Sequence, residues 1–390
     1  MRILIVHNYY KIPGGEDTVV DNEAKLLESH GHEVFFYTRT NHEMEAYGTL
    51  QKCLLPINTI FSLKSYKEVL KILDEKNIDI MHVHNTVCVI SPSVYFAAFK
   101  KRIPVVQTIH NFRLLCPAAT FLRNGKICEE CVGKGLFHAC KYACYRYSKL
   151  QTFALAFTES LHKALGTYRK LNYICLTDFN RNKLLSINSK KDYINKNNVY
   201  VKPNFVLNPL EIIPFNKRKD QVVYAGRLDE TKGIKILFQA WKEISKYELV
   251  VCGTGPLEAW CKEYINYHQI SNIKMLGFVE NNKVLDIIAR SKASILPTQW
   301  YEGFPMVLVE SFSRGTPVIG SNLGNVGSII VEGKNGFCID PTSSNSIIQK
   351  VNELCDICNE TFEYAKRVYS PEENYKKLIS IYRSILEGEK

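Results

Sequence analysis

Short β-rich runs alternate with amphipathic helical patterns along nearly the whole chain, and the alternation comes as two successive series. In the first, candidate strands at 2–8, 33–38, 78–84, 104–110 and 173–177 are separated by amphipathic stretches such as 17–29 and 93–101. A proline-bearing segment at 201–214 follows. The second series has candidate strands at 221–225, 248–252, 272–276, 293–297, 317–320 and 336–339, with helical patterns at 232–244, 256–268, 282–290 and 306–314. Strands alternating with helices form βαβ units and parallel sheets. At 390 residues the chain is also too long for one growing core. The expected class is therefore α/β with two Rossmann-like domains facing a central cleft. Residues 1–204 form the first and 205–370 the second, and a helical stretch at 371–390 packs back on the first.

In open parallel sheets ligands bind beyond the carboxyl ends of the strands, so the loops that follow strands carry the chemical signals. The richest is Glu302-Gly303-Phe304-Pro305-Met306-Val307-Leu308-Val309-Glu310, between a strand and a helix. Pro305 suits the first helical turn, where a missing N–H costs nothing, and Gly315 and Pro317 end the helix. The free amides of Gly303, Phe304, Met306 and Val307 then form an anion site that fits a diphosphate. Glu302 and Glu310 bracket it, and carboxylates so placed accept hydrogen bonds from sugar hydroxyls without a metal. A plain solvent-facing helix would show the same glutamates.

Two further loops add to this. Gly226-Arg227-Leu228-Asp229-Glu230-Thr231-Lys232-Gly233 sets two cations five residues apart at a strand-to-helix turn, where they can neutralise a departing diphosphate. Pro13-Gly14-Gly15-Glu16 follows the first strand, and paired glycines there permit close backbone approach to a phosphate. Neither this loop nor Gly253-Thr254-Gly255 is a dinucleotide fingerprint, because no third glycine is correctly spaced.

Taken in this order, the pieces resemble glycosyltransferase family 4, the retaining enzymes of GT-B fold. The Glu-x7-Glu pair is Glu302 and Glu310, and Ser311-Phe312-Ser313-Arg314-Gly315-Thr316-Pro317-Val318-Ile319 is similar to the family's usual continuation. The resemblance implies that Glu310 holds the donor ribose and Glu302 the transferred sugar. It implies that Arg227 and Lys232 bind the diphosphate, together with the amides from Gly303 to Val307, Gly226 and the Gly14–Gly15 loop. His110, at a strand end, matches a histidine near the sugar in relatives. Asn204-Phe205-Val206 stands where the family has Asn-Gly-Val. The implied reaction is front-face attack by an acceptor hydroxyl with retention, from a UDP- or GDP-sugar, in capsule, O-antigen or exopolysaccharide assembly. The departing phosphate oxygen takes the proton. There is no Asp-x-Asp motif, so no catalytic metal is expected.

Five cysteines fall together at Cys116, Cys128, Cys131, Cys140 and Cys144. Cys128-Glu129-Glu130-Cys131 has the C-x2-C spacing of a tetrahedral Zn2+ site, completed by Cys116 and by Cys144 or Cys140. Some bacterial polysaccharide-assembly members of the family carry a similar insertion, spanning about 111–147 here, which implies Cys140 is the odd one out and the rest hold a structural zinc.

Charge bears on partners. Residues 1–205 carry 28 Lys+Arg against 17 Asp+Glu, whereas residues 206–390 carry 22 of each. The basic half points to an anionic partner: a polyprenyl-diphosphate-linked glycan acceptor and the inner membrane surface. No apolar run approaches about 18 residues, and the first residues read as a strand rather than a signal peptide. A cytoplasmic protein, peripheral at the membrane, with its 13 cysteines reduced is therefore expected. A nucleic-acid module leaves the glutamate pair unexplained, so no nucleic-acid partner is expected. A nucleotide-sugar epimerase would need acid and base residues that the chain does not display.

Overall fold

A computed structural model describes residues 1–11, 14–189, 191–207 and 212–388; Pro13 of the Gly-Gly loop lies outside them. The chain forms two compact units. One comprises Met1–Phe121, Cys128–Pro203 and Asn374–Lys390, the other Leu122–Ile127 and Asn204–Glu373.

The first unit is built on β1 (Arg2–Tyr9), β2 (Glu33–Thr40), β3 (Ile80–Asn85) and β4 (Val105–Ile109); a two-residue hairpin, β5 (Leu122–Arg123) and β6 (Lys126–Ile127), precedes β7 (Asn172–Cys175) and β8 (Val199–Val201). The sheet order is β2-β1-β3-β4-β7-β8, with every pairing parallel. Ile3 to Val6 of β1 are wholly buried, as strands covered by helices on both faces must be. One cover is the final helix, Pro371–Gly388. Its Leu378, Ile381, Tyr382 and Ile385 pack with Ile3, Ile5, Val20 and Ile80.

The second unit contains β9 (Lys219–Ala225), β10 (Glu248–Cys252), β11 (Ile273–Gly277), β12 (Ser291–Leu296), β13 (Val318–Ser321) and β14 (Gly336–Ile339). Its order, β11-β10-β9-β12-β13-β14, is parallel throughout and doubly wound. Direction reverses between β9 and β12, so the loops leaving these neighbouring strands diverge and leave a crevice between them.

Several elements differ from the expectation in detail. Pro305 stands at the N-cap with extended backbone, not in the first turn, and its helix spans Met306–Phe312 rather than reaching 314. The helix expected from 232 begins at Ile234, after a 3-10 turn at Glu230–Lys232. The reason is Gly233, whose backbone is left-handed at φ 70° and ends the turn. A Cβ on Gly233 would lie 1.9 Å from the Pro297 carbonyl oxygen. A left-handed conformation costs an L-residue about 1–2 kcal/mol, and overpacking about 1–3 more. Gly233→Ala is expected to destabilise the protein by about 3 kcal/mol, read from the denaturant midpoint; a shift below about 0.5 kcal/mol would show that the loop yields freely.

Candidate functional site

The crevice of the second unit is assembled by close backbone approach. A Cβ on Gly253, which has φ 147°, would meet the Gly226 carbonyl at 1.9 Å. The loops after β9 and β10 are joined there by Gly226 N–H to Cys252 O at 3.0 Å and Leu228 N–H to Thr254 O at 2.9 Å. The Arg227 guanidinium is two-thirds exposed and donates to Asp229. Burial alone would raise the Asp229 pKa, but hydrogen bonds from Thr231 and the charge of Arg227 bring it below its ordinary value.

Lys232 turns inward and donates to Glu302 Oε1 at 2.6 Å. The same oxygen accepts from Thr298 Oγ1 at 2.9 Å and from Trp300 Nε1 at 2.8 Å. The ammonium also lies 5.4 Å from the centre of the Trp300 ring, within range of a cation–π contact. Asn325 Nδ2 donates to the carbonyls of Glu302 and Gly303 at 2.6 and 2.5 Å, which fixes the loop. Met306 and Val307 follow in the first turn of their helix, where amides have no carbonyl one turn back. Glu310 lies further along this helix. Burial raises its pKa, against the pull of Arg314 and a hydrogen bond from Asn281. The second unit thus presents a fixed carboxylate, a half-spent cation, an exposed arginine and a helix start from one crevice.

In the first unit, nothing within 4 Å would obstruct a Cβ on Gly14, whose φ of −127° is open to any residue. The protein's own packing therefore does not require glycine at this exposed turn. Asp17 accepts from the Gly14 amide at 2.8 Å and lies 2.8 Å from His7 Nε2, tying the loop to β1. His110 follows β4, and its Nε2 lies 3.0 Å from His84 Nδ1, one nitrogen donating to the other. Burial depresses the His110 pKa to about 3, with His7, His82 and Lys202 acting in the same direction. Burial and His82 likewise hold His84 well below its ordinary value. His110 is thus a neutral imidazole.

Behind it, Glu23 is buried on the first helix. It takes Lys202 Nζ at 2.8 Å and His82 Nδ1 at 2.9 Å, and His84 Nε2 stands at 3.6 Å. Tyr382 of the final helix reaches His82 at 2.6 Å. Burial would raise the Glu23 pKa, but Lys202 and His82 outweigh it and hold it well below the carboxylate range. Glu23, His82 and His84 are grouped closely enough to resemble metal ligands, all within 4.8 Å. The Lys202 ammonium already supplies the positive charge that a metal would bring.

The sequence reading passed over this cluster, although two signals were present. His82 and His84 share one face of a strand, and Glu23 interrupts the apolar stripe of Val19, Val20, Ala24 and Leu27. Thr298, Trp300 and Asn325 were also missed; single polar residues in loops carry no periodic signal. Asn204 is buried, and its Oδ1 has no hydrogen-bond partner among the described residues.

The cysteine insertion contains the helices Glu130–Lys134 and His138–Lys141, and among the described residues none of its cysteines is disulfide-bonded. The Cys131 thiol is pushed up to about 12 by burial and then by its neighbours Cys116, Cys144 and Cys128. Burial raises Cys140, with no cysteine contributing. Glu129, between the paired cysteines, accepts from Lys183 at 2.6 Å. Among the described residues no three of these thiols stand within 4.8 Å of one another.

Residues 13–154 match the family described as Glycosyltransferase Family 4, and residues 210–380 match Glycosyl transferases group 1. The chain is a glycosyltransferase of family 4. It is 23% identical to an uncharacterized glycosyltransferase of Methanocaldococcus jannaschii, over 99% of this chain and 98% of that one. It is 26% identical to the amylovoran biosynthesis glycosyltransferase AmsD of Erwinia amylovora, over 54% of this chain and 59% of the relative. Among solved structures, a glycosyltransferase from Rickettsia africae superposes with a TM-score of 0.70 at 16% identity, over 99% of this chain and 98% of that one. HepE of Anabaena, in complex with UDP-glucose, superposes at 0.63 with 16% identity, over 100% and 99%. The two α/β units have the GT-B fold. Among the described residues no helix is long and apolar enough to cross a membrane.

The neutral histidines make acid the weak side of the first unit. Their charged forms are disfavoured in the fold, so the unfolded chain binds more protons below about pH 6.5 and stability falls as pH falls. Glu23, held below its ordinary value, adds to the loss below about pH 4.5. Denaturant titrations are expected to show a loss of up to about 1.4 kcal/mol per pH unit for each histidine held neutral, between about pH 6.5 and 5. His84→Gln should flatten that slope. A slope unchanged by the substitution would mean that His84 is not buried neutral.

Proposed function

We propose that this glycosyltransferase moves a sugar, with retention, from a nucleotide-sugar donor to a hydroxyl of a lipid-linked glycan in cell-surface polysaccharide assembly. The observation that carries the reading is the Lys232–Glu302 pair at the reversal point of the second sheet, directly before the helix that bears Glu310. Glu302, fixed by three donors to one oxygen, turns its remaining acceptor capacity to the hydroxyls of the transferred sugar. Glu310 meets the ribose. Arg227, Lys232 and the amides at Met306 and Val307 meet the diphosphate, and neutral His110 offers the sugar a hydrogen bond without repelling a developing positive charge.

In the reaction the bond from the anomeric carbon to the diphosphate oxygen breaks. The acceptor oxygen bonds to the same face of that carbon, and its proton passes to the departing phosphate. Cations at the leaving group do most of this work, since charge appears there in the transition state. Support for the donor comes from HepE, whose structures hold UDP and UDP-glucose. Support for the pathway comes from relatives named for amylovoran and colanic acid biosynthesis. The basic N-terminal half suits an acceptor at the inner membrane surface.

A thermal-shift screen against UDP-, GDP- and ADP-sugars identifies the donor, and the anomeric coupling in the product's NMR spectrum reports retention; an inverted product would overturn the mechanism. Glu302→Gln should lower kcat at least about 100-fold with a small change in KM for donor. Glu310→Ala should weaken donor binding about tenfold. Wild-type kinetics in both variants would remove these residues from the site.

The thiols of Cys116, Cys128, Cys131 and Cys144 fit a structural zinc. A divalent cation converts their mutual charge repulsion into attraction, though the sulfurs must draw closer than they stand here. Metal analysis of the purified protein should find about one zinc per chain. Cys131→Ser should lose it and Cys140→Ser keep it. A metal-free protein that retains full activity would refute the site.

A further inference from the structure

Two helices of the first unit leave apolar side chains in solvent at helical spacing. On Thr49–Ile60 they are Leu50, Leu54 and Ile57, and on Lys149–Ala164 they are Leu150, Phe153 and Phe157. Leu50 and Leu150 are more than 70% exposed. Exposed apolar residues in a contiguous set mark a surface with a partner. The helices pack together, and a groove of about 300 Å3 runs between them. Leu55 and Pro56 line it from the first helix, Leu150, Ala154 and Leu155 from the second, and Tyr145 and Arg146 line it as well.

Two arginines flank Tyr145 of this lining. The guanidinium groups of Arg113 and Arg146 lie 5.3 and 5.2 Å from the centre of the Tyr145 ring. Arg146 is exposed and lines the groove. Arg113 Nε is buried without an acceptor among the described residues. Arg113 does not line the groove but a second, polar cavity with His84 and His110, and the Tyr145 ring is the neighbour that the two arginines share. Glu16, the carboxylate that interacts with Arg113, has its pKa pushed up to about 8 by burial and Asp17, so near neutral pH it leaves the arginine largely uncompensated. The surroundings share the sign: residues 100–202 carry 19 Lys+Arg against 5 Asp+Glu.

A largely apolar groove with Arg146 in its lining and Arg113 beside the same tyrosine is complementary to an amphiphile with an anionic head. We propose that this groove seats the hydrocarbon next to the phosphate of the lipid-linked acceptor, and that Arg113 and Arg146 hold that phosphate. The proposal rests on the transfer reading above for its role, though not for its chemistry. The phosphate lies at the Tyr145 ring, and the sugar beyond it extends toward His110. The exposed leucines and phenylalanines outside the groove rest in the bilayer surface while the chain is withdrawn.

The test titrates farnesyl phosphate, a short polyprenyl phosphate, into the full-length protein by calorimetry, beside farnesol and inorganic phosphate. Farnesyl phosphate should bind saturably and at least about tenfold more tightly than either fragment. Ala154→Trp, which fills the groove, and the milder Leu150→Gln should each weaken it about tenfold or more, and Arg146→Gln should do so by removing a charge. Far-UV circular dichroism and a cooperative thermal transition close to that of the wild type should persist in all three and show that the first unit folds. Equal affinity for inorganic phosphate, or unchanged farnesyl phosphate binding in Ala154→Trp and Leu150→Gln, overturns the proposal. So does a protein that binds phosphatidylglycerol vesicles but not farnesyl phosphate, which would make the ridge a bilayer contact alone. Failure of the wild-type protein to bind any nucleotide sugar would sink the transfer reading while leaving the groove result standing.

Discussion

The approach of Gly233 to the Pro297 carbonyl governs the second unit. No other residue type allows the loop after β9 to lie so near the end of β12. Only at that separation does Lys232 reach Glu302, seventy residues further along the chain. A buried ion pair is not stabilising by default, because two ions must be stripped of water. Here the cost is offset by Trp300 and Thr298, which donate to the same oxygen. The pair also fixes a carboxylate that would otherwise swing on three rotatable bonds, and a carboxylate fixed in this way loses little entropy when a ligand binds it.

The first unit solves a different electrostatic problem. Its first helix carries a buried negative charge at Glu23, answered by Lys202 from beyond β8 and by His82 of β3. That answered charge lets His84 and His110 remain neutral so near a carboxylate. Positive charge is instead placed outward, around the insertion and the two exposed helices. On the readings proposed above, the two units would divide the handling of anions: one through loops and a helix start, the other through arginines beside an apolar groove.

The repeating elements were legible because parallel strands and their helices repeat a strong apolar signal. β1, β9 and β12 are continuous buried runs and stand within a few residues of the expected positions. β8, with three residues, was too short to register. The helix Thr49–Ile60 was hidden by its internal Pro56 and by leucines that face outward. In the site, Glu302 and Glu310 stood out by spacing, whereas the bond from Lys232 to Glu302 is set by strand order, which no local pattern encodes. The same holds for Glu23, whose partners lie on β3 and beyond β8 and are themselves bound by Tyr382 and Asn374 of the final helix.

That last partnership orders events in time. The helix Pro371–Gly388 completes the core of the first unit through Leu378, Tyr382 and Ile385, and Asn374 accepts from Lys202 at 3.1 Å. A chain emerging from the ribosome therefore makes the first sheet early but cannot close it until the whole second unit has been synthesised. Long sequence separations of this kind slow folding. Until closure, Glu23 and one face of the first sheet stay open to solvent, and the second unit, whose own core is contiguous, is free to fold first.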